Sequence, residues 1–155
     1  MDSDEDSSED NYYVSGLISK VSDRLYVTDV WGANKLEELK KLGIVRVISI
    51  GDISEHKSYQ RFKEFEYISI VMDDSEQEDI SQYFHSTNNF ISTSPGPVLV
   101  HCWAGISRSV AIVIAHLMIS FKKSYLGAFY EIQKVRPFIR PNIGFIDILG
   151  KLEDN

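Results

Sequence analysis

The chain has 155 residues, 43% hydrophobic and 25% charged, enough to bury a core of its own as one domain. No apolar run approaches the ~18 residues of a membrane span, and the acidic N-terminus has no apolar centre that would read as a secretory signal. The single cysteine, Cys102, excludes an internal disulfide and a zinc site on paired thiolates, and it fits a reducing cytoplasmic or nuclear setting.

The net charge of −7 belongs to the first residues. Residues 1–10 carry six of the 23 acidic side chains and no basic one, leaving 17 acidic against 16 basic residues in the remainder. Residues 1–11 are therefore expected to be an acidic, disordered tail, and 12–155 a nearly neutral domain. Nothing in that domain forms a basic footprint for nucleic acid or anionic lipid, so neither partner is expected.

From Tyr12 onward, short apolar strands alternate with helical patterns. Ile18–Val21 and Leu25–Val27 flank Ser-Asp-Arg and suggest a strand pair at a sheet edge. Asn34–Leu42 places Leu36, Leu39 and Leu42 at helical spacing, with Gly43 as its C-cap. Val45–Ile50 and Tyr67–Met72 read as strands. Ile80–Ile91 reads as one helix with Ile80, Phe84, Thr87 and Ile91 on a face. Trp31 is assigned to the core. Pro95-Gly96-Pro97 breaks the chain before a strand at Val98–Val100. Val110–Ile119, apolar almost all round, is a buried helix. Leu126–Val135 and Asn142–Leu152 are two more helices, separated by Pro137 and Pro141. The expected fold is α/β, one central and mostly parallel sheet of about five strands flanked by helices.

The strand at Val98–Val100 runs through His101-Cys102-Trp103-Ala104-Gly105-Ile106-Ser107-Arg108-Ser109 into the buried helix. A lone cysteine is more often an inert core residue than a nucleophile. A strand-to-helix turn reverses that reading. There, loop amides and the helix dipole converge on one point and stabilise either a thiolate or a phosphate dianion. Arg108, six positions after Cys102 and one of only six arginines, can hold two phosphoryl oxygens with its planar fork. Gly105 lets the backbone turn and approach a ligand. Ser109 is placed to hydrogen-bond the sulfur, and His101 to order the loop from behind. Trp103 forms part of the pocket rim, with Ala104, Ile106 and Ser107 lining the loop as the substrate-binding positions. His56, His85 and His116 have no partner at ligand spacing and read as structural or exposed, so no metal and no cofactor is expected.

HCWAGISRS resembles the signature loop of the dual-specificity protein phosphatases, HCxAGxSRS, and the resemblance extends over nearly the whole chain from about Leu17. Leu25-Tyr26-Val27 and Gly43-Ile44 resemble that family's opening strand and first helix exit. Arg136-Pro137 and Arg140-Pro141-Asn142-Ile143-Gly144-Phe145 resemble its closing segment. With no kinase-docking domain ahead of it, the resemblance is to the small atypical members. It implies a protein-tyrosine-phosphatase-like fold and hydrolysis of phosphotyrosine and phosphoserine/threonine through a cysteinyl phosphate.

The resemblance also implies a general acid on a loop before a helix near Tyr83-Phe84. That loop offers Asp73 and Asp74, and the family's spacing of nine residues to the aromatic at Tyr83 selects Asp74. Glu76, Glu78 and Asp79 read as solvated charges, and Asn142 as a supporting helix N-cap. The variable loop positions Trp103, Ala104, Ile106 and Ser107 are uncharged. They favour a phosphorylated protein over a phosphoinositide or an RNA 5′-phosphate, whose enzymes carry extra basic residues there. Retention of both Cys102 and Arg108 speaks against a phosphate-binding pseudophosphatase or scaffold. A monomer with a shallow site is expected.

Overall fold

Five strands and their flanking helices form a three-layered α/β domain in the computed structural model, which describes residues 12–155. The acidic tail expected at 1–11 lies outside the described residues. In chain order the strands are β1 (Ser19–Ser22), β2 (Leu25–Thr28), β3 (Arg46–Gly51), β4 (Glu66–Val71) and β5 (Val98–His101). Their spatial order is β1-β2-β5-β3-β4, with β1 antiparallel to β2 and every other pair parallel. This is the mostly parallel sheet that the alternating pattern implied.

The last strand in sequence is thus the central one. β5 is buried along its whole length, which accounts for its unbroken apolar composition. Alternate residues face opposite layers. Val98 and Val100 join Leu25, Val27, Ile48 and Ile50 beneath the helix α5 (Arg108–Phe121), together with α4 (Phe84–Ser92), α6 (Tyr125–Gln133) and α7 (Ile143–Glu153). Leu99 joins Tyr26 and Val47 on the other face, under the short helices α1 (Val30–Ala33) and α2 (Leu36–Lys41). Helix α5 is buried from Arg108 to Met118. Truncating a fully buried side chain there, such as Ile112 or Ile114, would cost about 2–5 kcal/mol through lost transfer and an unfilled cavity.

Two local expectations need correction, and two short helices lie outside the expected elements. The segment Ile80–Ile91 is not one helix: a 3-10 turn (Ile80–Tyr83) precedes α4, because Asp79 accepts the N–H of Ser81 and tightens the first turn. Two four-residue helices, α1 and α3 (Ile53–His56), are too short for periodicity to reveal. Trp31 is not in the core. It sits on the outer side of α1 and is 55% exposed, because the inner positions of that helix are taken by Val30, Gly32 and Ala33.

Candidate active site

The loop between β5 and α5 is shaped by where its carbonyls go. Trp103 O accepts the N–H of Val30 (3.0 Å), and Ile106 O accepts that of Arg140 (2.8 Å). Between them, the Arg136 guanidinium donates to Gly105 O (2.6 Å) and Ala104 O (3.4 Å). Four consecutive carbonyls, 103 to 106, are therefore held outward. In a trans peptide the next N–H points the opposite way, so the amides of residues 104 to 107 converge on the inside of the loop. One of them is already engaged: Gly105 N–H donates to Cys102 Sγ at 3.2 Å. The concavity has the form of an anion nest.

Gly105 is required for this shape. Its φ is +66°, and a Cβ there would lie 2.5 Å from the Arg136 guanidinium and 2.7 Å from Thr28 O. Arg136 itself is fully buried, and it also donates to Leu17 O (2.8 Å) and Ser19 Oγ (3.0 Å) while its guanidinium lies over Phe138. Burial draws its pKa down, opposed by the negative charges of Asp29 and Cys102.

Cys102 is 2% exposed at the bottom of the loop, with Ser109 Oγ 3.1 Å from its sulfur. His101, the last residue of β5, pairs in register with Ser49 of β3, and their side chains meet at 2.9 Å through Nε2. Its Nδ1 lies 3.4 Å from Cys102 O. Burial depresses the imidazole to about 4 and keeps it neutral.

Arg108 opens α5. The N-cap hydroxyl, Ser107 Oγ, is not used to cap this helix, and the first turn carries no acidic residue. The Arg108 guanidinium is clamped by Glu55, with Nη1 to Oε1 at 2.6 Å and Nη2 to Oε2 at 2.9 Å, and donates further to Met72 O at 3.0 Å. Burial opposes the arginine's charge, but the hydrogen bonds to Glu55 and the charges of Cys102 and Glu55 outweigh it and raise its pKa. Arg108 in turn holds Glu55 below the usual carboxylate range.

Asp74 lies across from the loop. Its Oδ1 accepts from Ser107 Oγ (2.8 Å) and Asn142 Nδ2 (2.9 Å), which orients the carboxyl and leaves Oδ2 without a hydrogen bond among the described residues. Asn142 N–H closes the triangle by donating to Ser107 Oγ at 3.0 Å. Asn142 is at the same time the N-cap of α7, accepting the N–H of Phe145. Asp73 is exposed, and its charge acts on Glu78, whose pKa is raised by burial first and then by Asp73 and Asp79. Asp79 caps the 3-10 turn. Of the loop's remaining positions, Trp103 is 40% exposed at the rim, Ala104 and Ile106 are half-buried, and Ser107 is buried.

The structure brings together His101 at the end of β5, Arg108 and Ser109 at the start of α5, and Cys102, Asp74 and Asn142 from three different loops. Sequence reasoning gave no role to Glu55 or to the Arg136 side chain. Glu55 had a visible signal: Asp52-Ile53-Ser54-Glu55, directly after β3, is a complete capping box. His56 contacts Ile70 O at 2.9 Å and His116 contacts Asn88 at 2.8 Å, so both are structural. Among the described residues no group of His, Cys, Asp or Glu could hold a metal ion, and no helix is long and apolar enough to cross a membrane.

Residues 25–155 match the family model "Dual specificity phosphatase, catalytic domain". The chain is similar to a probable dual specificity protein phosphatase of Dictyostelium discoideum, 36% identical over 136 residues that cover 86% of this chain and 62% of that protein. It is similar also to the MAP kinase phosphatase with leucine-rich repeats protein 3 of the same organism, 39% identical over 90% of this chain but only 16% of that protein. It thus spans less than two thirds of the length of either. Among solved structures, the human tyrosine phosphatase-like serine/threonine/tyrosine-interacting protein superposes with a TM-score of 0.85 at 35% identity, covering 88% of this chain and 95% of that one. DUSP15 follows with a TM-score of 0.81 at 31% identity, covering 88% and 86%.

Proposed function

The chain belongs to the family of dual specificity phosphatase catalytic domains, and from that membership we propose that it hydrolyses phosphotyrosine and phosphoserine/threonine in proteins through a cysteinyl-phosphate intermediate. The observation that carries this reading is the set of outward-tied carbonyls 103–106 around Cys102 Sγ, which supports an inward nest for a phosphoryl group directly above the sulfur.

The Cys102 thiolate attacks phosphorus in line while the phosphate–ester P–O bond breaks. Loop amides and Arg108 hold the non-bridging oxygens as their charge redistributes. Asp74 passes its proton to the departing side-chain oxygen, a contribution of typically ~10²–10⁴-fold. The same carboxylate then takes a proton from the water that attacks the phosphocysteine. The S–P bond breaks, and Ser109 O–H donates to the sulfur as it recovers its negative charge. Inorganic phosphate leaves. The uncharged side chains of Trp103, Ala104 and Ile106 suit a phosphoprotein better than a more highly charged phosphoinositide or RNA end. A reducing cytoplasmic or nuclear compartment would keep the single thiol active.

Turnover of p-nitrophenyl phosphate in the presence of a chelator tests the proposal. The wild-type protein should release phosphate, and Cys102→Ser should fall to background while keeping its fold. Wild-type protein that binds phosphopeptides without hydrolysing any ester would instead be a phosphate-binding module.

A further inference from the structure

Two indoles stand exposed beside the phosphate loop, Trp31 at 55% and Trp103 at 40%. They meet edge to face with ring centroids 6.4 Å apart. Behind Trp103, the ring of Tyr59 lies nearly parallel at 6.3 Å, and Tyr59 meets His101 at 4.9 Å and His56 at 5.2 Å. The five rings form a continuous wall running outward from the residue before the cysteine.

The wall is rigidly built. The Tyr59 hydroxyl donates to Ile50 O at 2.8 Å, and the hydroxyl end of its ring abuts Gly51, where a Cβ would come within 2.8 Å of it. Helix α1, which carries Trp31, is fixed at its start by the buried Asp29, whose Oδ1 accepts Gly32 N–H at 2.8 Å and whose Oδ2 accepts Gly16 N–H at 2.8 Å. Its first amide, Val30 N–H, is the donor to Trp103 O, so the two indoles are tied together through backbone as well as through their rings. Neighbouring large aromatic side chains held in water next to a reaction centre are a surface for something apolar. Burial keeps His101 neutral, and the loop residues Ala104 and Ile106 add no charge beside the two indoles. The nearby carboxylate of Glu55 is engaged by Arg108.

We propose that Trp31 and Trp103, backed by Tyr59, form a specificity subsite that takes a bulky apolar or aromatic side chain flanking the phosphorylated residue of the substrate. This rests on the hydrolase reading above and deepens it. The pre-set wall needs little ordering on binding, so the subsite acts on the substrate's approach and binding rather than on bond breaking. Its signature is a lower KM for the preferred peptide, with kcat little changed between matched peptides.

The test uses phosphotyrosine peptides identical except for Phe, Leu, Gly or Arg at one of the two positions on either side. The wild-type protein should prefer Phe or Leu over Gly at one such position by about tenfold in kcat/KM, through KM. Trp31→Ala, at a solvent-facing position, should collapse that ratio to below about twofold, and Trp31→Phe should restore part of it. A wild-type protein that hydrolyses all four peptides equally would overturn the subsite. So would a preference that survives Trp31→Ala, or an Arg preference that disappears with it, which would make the wall a cation site. Should no peptide be hydrolysed at all, calorimetric Kd values for the same series still read the subsite. A tenfold Phe preference lost in Trp31→Ala would then sustain it while rejecting the hydrolase, and equal Kd values would reject both.

Discussion

Asn142 and Asp74 are joined at 2.9 Å, so the residue that caps the last helix also orients the carboxyl facing the phosphate loop. The two duties use different atoms: Oδ1 accepts Phe145 N–H for the cap, and Nδ2 donates to Asp74. Asn142→Ser keeps a good cap and loses the amide donor without setting a second carboxylate against Asp74. It should leave the urea midpoint near wild type but slow hydrolysis of esters with poor leaving groups. Asn142→Ala should do both kinds of damage, with about 1 kcal/mol of stability lost along with the rate.

The two adjacent aspartates separate by the same measurement. Asp74→Asn should lower the rate on a poor leaving group by ~10²-fold or more and on p-nitrophenyl phosphate by less, since a good leaving group needs little protonation. Asp73→Asn should change neither, because Asp73 is exposed and makes no hydrogen bond to the loop, whereas Asp74 is held by Ser107. An exchange of these behaviours would make Asp73 the acid.

Glu55 should act as a positioning residue for Arg108. Glu55→Gln presents one acceptor and one donor to a guanidinium that needs two acceptors at 2.6 and 2.9 Å. Losing a charge-assisted bond of ~1.5–3 kcal/mol corresponds to about 10–100-fold in kcat/KM, with weaker inhibition by inorganic phosphate. Because Arg108 holds the Glu55 carboxyl below its usual range, the clamp is fully formed at neutral pH and opens only as pH falls through that lowered value. Unchanged phosphate inhibition in the variant would show that Arg108 needs no such support.

Ser109 Oγ, 3.1 Å from the sulfur, can stabilise a departing thiolate. Ser109→Ala should slow hydrolysis of the phosphocysteine more than its formation. Rapid acid quenching should then trap phosphoenzyme that wild type does not accumulate. Slowed formation with no accumulation would give Ser109 a different role.

Stability should fall on the acid side because of His101. Its folded-state value is about 4, against ~6.5 for an unfolded histidine. Between those values the unfolded chain binds a proton that the folded chain refuses, so stability rises with pH across that window. Full stability holds above pH 6.5 and up to ~3 kcal/mol is lost by pH 4. His116, also drawn down to about 4 by burial, adds to the loss with the same sign. Urea titrations at pH 7 and 4.5 should show a smaller difference in His101→Asn than in wild type, and an equal difference would remove His101 as the cause.

The sequence by itself determined the elements whose information is local. The loop from His101 to Ser109 is contiguous, so the spacing of its residues and the strand and helix at its ends are all legible in one short stretch. The apolar runs of β3 and β5 and the all-round apolar α5 announce a buried parallel sheet for the same reason. Tertiary structure alone decided which distant residues serve that loop. Glu55 reaches Arg108 across 53 positions, Asn142 reaches Asp74 across 68, and Arg136 braces Gly105 across 31 and Leu17 across 119. β5 inserts between β2 and β3, which sets the loop after it beside the chain that follows each of them, an order that no local periodicity encodes. Trp31 shows the same limit from the other side. Its composition reads as core, but a four-residue helix buries only the positions turned to the sheet, and the indole left outside stands beside the phosphate loop.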